Sequence, residues 1–298
     1  MKQRTIAEKI SCTGIGLHSG APVQMTLHPA RANSGITFVR CDLSYPVEIP
    51  VTIASVVSTE YATTVGRGDV TVSTVEHLLA ALYGMGIDNL RVEINAPEVP
   101  IMDGSAAPFV HLIRAAGIFE QPQRRREFRV RRPIEVRDGE KWIRLTPSRS
   151  FSVSYTIDFE HPAIGRQELN HLEISDELFY KKISCARTFG FAYEVEAMRA
   201  AGLARGGSLD NAIVLDNEGI LNEEGLRFPD EFVAHKVLDL LGDLSILGLR
   251  ICGHVQVHRG GHDLHCKLLA AIVEAHREEA VTDAMELESM GSHIPALA

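Results

Sequence analysis

The chain lacks most of the features that mark out whole classes of protein. It has no basic surplus: 30 Lys and Arg stand against 39 Asp and Glu, a formal net charge of −9, whereas nucleic-acid binders ordinarily lean the other way. No nucleic-acid partner is therefore expected, although a small anion, which needs only a few local cations, stays open. No stretch approaches the ~18 apolar residues of a membrane span. The opening MKQRTIAEKI has no apolar core of a signal peptide, so the expected setting is a soluble protein of the cytoplasm. Cys12, Cys41, Cys185, Cys252 and Cys266 are odd in number, scattered and without a CxxC pair, which argues against a disulfide frame or a thiolate zinc knot. There is no HExxH pair, no GxSxG elbow and no P-loop. The nearest thing to a dinucleotide fingerprint, GIGLHSG at residues 14–20, has its last glycine one place late and reads as a tight hairpin.

What is present is an ordinary globular composition, 45% hydrophobic and 23% charged, so a folded chain is expected throughout. At roughly 150 residues per domain, 298 residues favour two units. The pattern supports this by repeating itself. Residues 23–30 (VQMTLHPA) and 141–148 (KWIRLTPS) both read as strands ending Leu-X-Pro, and each is followed by another strand pattern, at 35–40 and 151–159. Downstream, Val75-Glu76-His77 opens a helical pattern running to Gly84 and giving way to the strand 90–94. Val233-Ala234-His235 opens another running to Gly242 and giving way to 249–257. Each is then followed by a glycine-containing loop and a further helix, 107–116 and 265–275. This predicts a duplicated α+β unit: 1–122, then 123–298. The charged stretch 120–127 (EQPQRRRE) between them reads as a solvated connector. The second half carries extra material between 160 and 230, with a helical run at 194–200 and an apolar segment at 212–215. From about 277 the chain reads as a loosely held acidic tail.

The chemistry concentrates in residues 235–239 (HKVLD). Residues four apart on a helix share a face, so His235 and Asp239 can grip one ion, and Asp243 continues that stripe. Alone, such a pair is better explained by an exposed helix face with a local salt bridge. The matching helix of the first half adds Glu76 and His77. If the halves pack face to face, two imidazoles and a carboxylate meet, the ligand count of a catalytic zinc with an open fourth position. Glu76 is then placed to take a proton from water. Against this, Ser73 to Glu76 also fits a helix capping box, and His77 alone would read as a core histidine. Strand alternation through 254–258, followed by Arg259-Gly260-Gly261, leaves His262 on a loop as a candidate proton donor. His254, His258 and His265 read as surface or packing residues.

Taken together, residues 13–20 (TGIGLHSG), 73–79 (STVEHLL), 98–105 (EVPIMDGS), 186–191 (ARTFGF), 235–239 (HKVLD) and Gly242-Asp243 resemble the UDP-3-O-acyl-N-acetylglucosamine deacetylases of lipid A synthesis. The likeness covers nearly the whole chain. It implies a Zn2+ site of His77, His235 and Asp239, a general base at Glu76, and His262 as a cationic acid held by Asp243. It implies that Thr188 and Lys236 meet the reacting amide and its oxyanion. Lys141, Phe159 and Arg259 would meet the nucleotide, while Phe189 and an insertion at about 190–222 would line an acyl passage. The implied fold is two α+β units with their helices between two sheets, and the implied partner is an acylated UDP-amino-sugar bound by a monomer. After His262 the chain departs from the family pattern, reading Asp263-Leu264-His265-Cys266 in place of an Asn-rich sequence. Two rival readings fit the metal residues alone: a zinc hydrolase of another amide, and a non-catalytic binder of a nucleotide-sugar lipid around a structural metal. A carboxylate beside an open ligand position disfavours the second, because structural sites close with four protein ligands.

Overall fold

Two five-stranded sheets are built to one plan in the computed structural model, which describes the backbone of residues 1–291 and side chains through residue 278. In the first half, strands Ile10–Ile15, Pro22–Pro29, Leu90–Ile94, Ile36–Arg40 and Val47–Pro50 lie side by side in that order. In the second, Ile134–Asp138, Lys141–Thr146, His254–His258, Ser152–Asp158 and Arg166–Glu173 repeat it. In each sheet the strand that comes last in sequence slots between two hairpins. It runs antiparallel to one neighbour and parallel to the other. Alternation explains why these segments are strands. Met25, Leu27, Val92 and Ile94 turn inward in one sheet, and Ile143, Leu145, Val255 and Val257 in the other, all buried. The fold is α+β.

The helices that precede the two central strands, Glu76–Gly84 and Glu231–Ser245, pack directly on one another. Every residue of the first is buried, as is every residue of the second except Lys236. A helix enclosed on all sides is a core element, so its polar residues must find partners inside the protein. Close approach depends on Gly242. A Cβ there would lie 2.2 Å from the Glu76 carbonyl oxygen and 3.0 Å from the Glu76 Cα.

Helices Ala107–Ala115 and Ala192–Ala200 and strand Ile213–Leu215 fall where the sequence pattern puts them. Three expectations change, and the capping-box alternative falls with them. Residues 120–127 are not a solvated connector: strand Ile118–Arg124 pairs antiparallel with Lys2–Ile6, and Gln121 turns inward to accept from Asn89 Nδ2 at 2.7 Å. Arg125 then pairs with Asp88. The apolar run 249–257 is split into Arg250–Cys252 and His254–His258 at Gly253, where a Cβ would meet Val130 at 2.6 Å. His262 is not on a loop but opens helix His262–Gly291, which also carries the segment expected as a tail. The rest of that tail, 292–298, lies outside the described residues. Finally, Glu76 forms no capping box: Val75 is the N-cap residue and makes no side-chain cap bond, and the Ser73 hydroxyl donates to the Pro97 carbonyl at 3.2 Å instead. No helix among the described residues is long and apolar enough to cross a membrane.

Candidate active site

Where the two central helices touch, His77 from the first half meets His235 and Asp239 from the second. One ligand atom from each lies within 4.8 Å of the others, and all three residues are buried. Asp239 Oδ1 is 3.3 Å from His235 Nε2 and 3.8 Å from His77 Nε2, with the two imidazoles edge-on, centroids 5.0 Å apart. His235 donates its Nδ1–H to the Ala186 carbonyl at 3.0 Å, which fixes the tautomer and leaves Nε2 free as a ligand. His77 Nδ1 has no partner among the described residues. Burial, and then the neighbouring His235, depress the His77 pKa to about 3, and burial lowers that of His235 too, so both offer lone pairs. Burial alone would raise Asp239, but its neighbours His235 and Lys236, with His262 and His77, hold it well below the usual carboxylate range. Two nitrogens and an anionic oxygen, dry and convergent, suit a divalent ion of borderline softness. The group fits this donor set.

Around it stand three further titratable residues, Glu76, Asp243 and His262. The Glu76 carboxylate accepts the Thr63 backbone N–H at 3.0 Å. Burial, aided by Asp239 and Asp243 and opposed by His262, lifts its pKa to about 7. Asp243, fully buried, accepts from His262 Nδ1 at 2.7 Å. Burial would lower the His262 pKa, as would its place at a helix N-terminus. The Asp243 charge and hydrogen bond, with Glu76 and Asp239, outweigh this and raise it to about 10. Asp243 is correspondingly held at about 2, against its burial.

Of the remaining expected residues, Lys236 sits 2.8 Å from Asp239 Oδ2, with its ammonium 5.3 Å from the centre of the Phe189 ring. Thr188 lies two residues beyond the carbonyl that holds His235. Phe189 packs on Phe232, at 5.0 Å, and on Phe159, at 5.7 Å, and Phe159 in turn meets Phe191. Lys141 and Arg259 are gathered at one end of the second sheet, since Trp142 and Thr156 both pair with His258. Neither touches the metal residues in any described contact. Arg259 instead faces Glu140.

A match to the family model for UDP-3-O-acyl N-acetylglycosamine deacetylase (LpxC) spans residues 3–274. The chain belongs to the LpxC family. Its likeness to individual members extends over nearly their whole length. A UDP-3-O-acyl-N-acetylglucosamine deacetylase of Myxococcus xanthus (strain DK1622) is 52% identical over 298 residues, 99% of this chain and 95% of that one. One from Pasteurella multocida (strain Pm70) is 50% identical, covering 92% of this chain and 90% of its own. Within this LpxC-family chain, two residues bonded to Asp243 escaped sequence reasoning. Thr63 lies in an irregular loop, and no pattern flags it. His265 is no surface residue: fully buried, it donates Nδ1–H to Asp243 at 2.7 Å and receives the Tyr155 hydroxyl at 3.3 Å. Its spacing of three from His262 on a helix was the available signal.

Proposed function

We propose that the protein hydrolyses the N-acetyl group of UDP-3-O-acyl-N-acetylglucosamine in lipid A synthesis, releasing acetate and the free amine, with zinc held by His77, His235 and Asp239. The observation that carries this is the buried His77–His235–Asp239 cluster, flanked on one side by a carboxylate of raised pKa and on the other by a carboxylate-bound histidine. Amide hydrolysis needs both flanking groups: one to take a proton from water, one to give a proton to a poor leaving group. The chemistry the bound zinc supplies is Lewis acidity toward water and the acetyl carbonyl.

The chain's own residues do the rest. Glu76 accepts the water proton at Oε1, since Oε2 is engaged by Thr63, while the new C–O bond forms at the acetyl carbon. Lys236 and Thr188 donate to the oxygen that gathers charge. His262, its Nδ1 bound to Asp243, delivers a proton from Nε2 to the amide nitrogen as the C–N bond breaks. Phe189 and the segment at about 190–222 form the acyl passage, an assignment supported by the run of rings Phe159, Phe189, Phe191 and Tyr193 leading from His235. Lys141, Phe159 and Arg259 hold the nucleotide. We take the enzyme to act as a cytoplasmic monomer of two units, 1–122 and 123–298, meeting at the metal. Acetate release from the acylated UDP-sugar, followed for the parent, Glu76→Ala and His262→Ala proteins, tests the reading. Turnover by the parent and loss of at least ~10²-fold in kcat in each variant is expected. No acetate from the zinc-loaded parent, or full turnover in both variants, would overturn it.

A further inference from the structure

Thr63 is fully buried and reaches every group just given a proton-handling role. Its backbone N–H donates to Glu76 Oε2 at 3.0 Å. Its hydroxyl donates to Asp243 Oδ1 at 2.6 Å, and the same oxygen lies 3.2 Å from His262 Nδ1. Its carbonyl accepts the Val75 N–H, the amide just ahead of Glu76. One residue of a first-half loop is thus tied both to the proposed base and, across the helix contact, to the acid's carboxylate on the second half.

The hydroxyl has a task no other group shares. Asp243 Oδ2 already accepts from two imidazoles, His262 Nδ1 and His265 Nδ1, each at 2.7 Å. The only described hydrogen bond to Oδ1 comes from Thr63. A carboxylate turns readily about its last bond, where the torsional wells are broad and two-fold. Donors on one oxygen leave that rotation loosely held, whereas a donor on each oxygen fixes it. With the carboxylate fixed, the His262 ring is fixed, and with it the direction in which Nε2 delivers its proton.

We infer that Thr63 is a positioning residue that sets the registry between Glu76 and the His262–Asp243 pair through its hydroxyl. The inference rests on the roles proposed above for Glu76 and His262. Thr63→Val keeps the shape and the backbone bond to Glu76 but removes the hydroxyl, and Thr63→Ser keeps the hydroxyl. Groups that orient a reacting residue typically contribute about 10–100-fold. Thr63→Val is therefore expected to lose about 10–100-fold in kcat with KM within about twofold and bound zinc unchanged, and Thr63→Ser to return kcat to within about threefold of the parent. Thr63→Ala, which introduces no new atoms, repeats the measurement should the valine variant fail to fold. Unchanged kcat in the folded valine or alanine variant overturns the inference, as does an equal loss in the serine variant, which would mean packing. Glu76→Gln and His262→Ala run alongside separate the two levels. If both keep full turnover, the functional reading itself falls. If they lose turnover while Thr63→Val does not, only the role of Thr63 falls.

Discussion

Replacing Gly242 by alanine sets two effects of opposite sign against each other. Gly242 lies inside a fifteen-residue helix, Glu231–Ser245, where Gly costs about 0.8–1.0 kcal/mol relative to Ala. Propensity alone therefore predicts a stabilised protein. The structure predicts the reverse. The added Cβ would stand 2.2 Å from the Glu76 carbonyl oxygen, where ordinary contact begins at 3.4 Å, and 2.8 Å from its carbonyl carbon. Those are backbone atoms of a helix buried on every side, so no flexible side chain can swing away. The helices must part by about 1 Å, and overpacking of this kind costs typically 1–3 kcal/mol, enough to cancel or exceed the gain. The functional effect is larger, because the displaced residue is Glu76 itself and its neighbour is His77. A shift near 1 Å in a reacting group costs about 10²-fold in rate. Urea denaturation, zinc content and kcat, measured on Gly242→Ala, should show equal or lower stability, weakened zinc retention and kcat down by about 10²-fold. A variant more stable by the full ~1 kcal/mol, with kcat intact, would refute the argument that the helix contact is closed to a methyl group.

Three further outcomes are expected. Purified protein should carry one zinc, and His77→Ala or Asp239→Ala should release it, as read by elemental analysis after dialysis; full occupancy in both variants would remove the proposed ligand set. Glu76 works deprotonated and His262 protonated, so activity should rise with pH through the Glu76 value, about 7 before a cation draws it lower, and fall through that of His262, about 10; Glu76→Ala should erase the acidic limb of the residual profile and His262→Ala the basic one. An apolar passage gains about 0.8 kcal/mol per buried methylene, about fourfold in affinity, so kcat/KM should climb with acyl length until the passage is full, and equal values with and without the acyl chain would sink that assignment.

Periodic elements were the most legible part of the molecule. The Glu76–Gly84 helix and the Leu90–Ile94 strand stand where helical spacing and alternation put them; the strand buries one face, and the helix is enclosed on every side. The cluster proposed to hold the metal was open to the same kind of reading: His235 and Asp239 are one helical turn apart, and the repeated Val-X-His brought His77 into correspondence. Residues whose roles come from long-range contact were not. Thr63 acquires its partners from Asp243, 180 positions away, and nothing local marks it. The stretch 120–127 looked like a connector because it is rich in charge, yet its backbone pairs with the chain's first strand, a bond that composition does not encode. Glu76 illustrates a local rule overruled: its spacing suits a cap, but the carboxylate accepts from Thr63 in the core.

The matching strand orders of the two halves carry a consequence for how such a site can arise. Two identical chains meeting across a two-fold axis must present the same side chain at corresponding positions. Of the polar side chains at the site, the corresponding helices share only the imidazole. Glu76 and His77 correspond in sequence to Ala234 and His235, and one turn further on Ala81 corresponds to Asp239, both alanines being buried. A symmetric ancestor could have offered two histidines, but for its carboxylates the choice was none or pairs. Pairs would have placed two bases and two acidic ligands around a single ion, crowding like charges and closing the coordination position that water needs. Joining the copies in one chain releases each from the other's sequence. One half can specialise in the base and the other in the acidic ligand, and a single asymmetric reaction centre can form at the seam of a repeated fold.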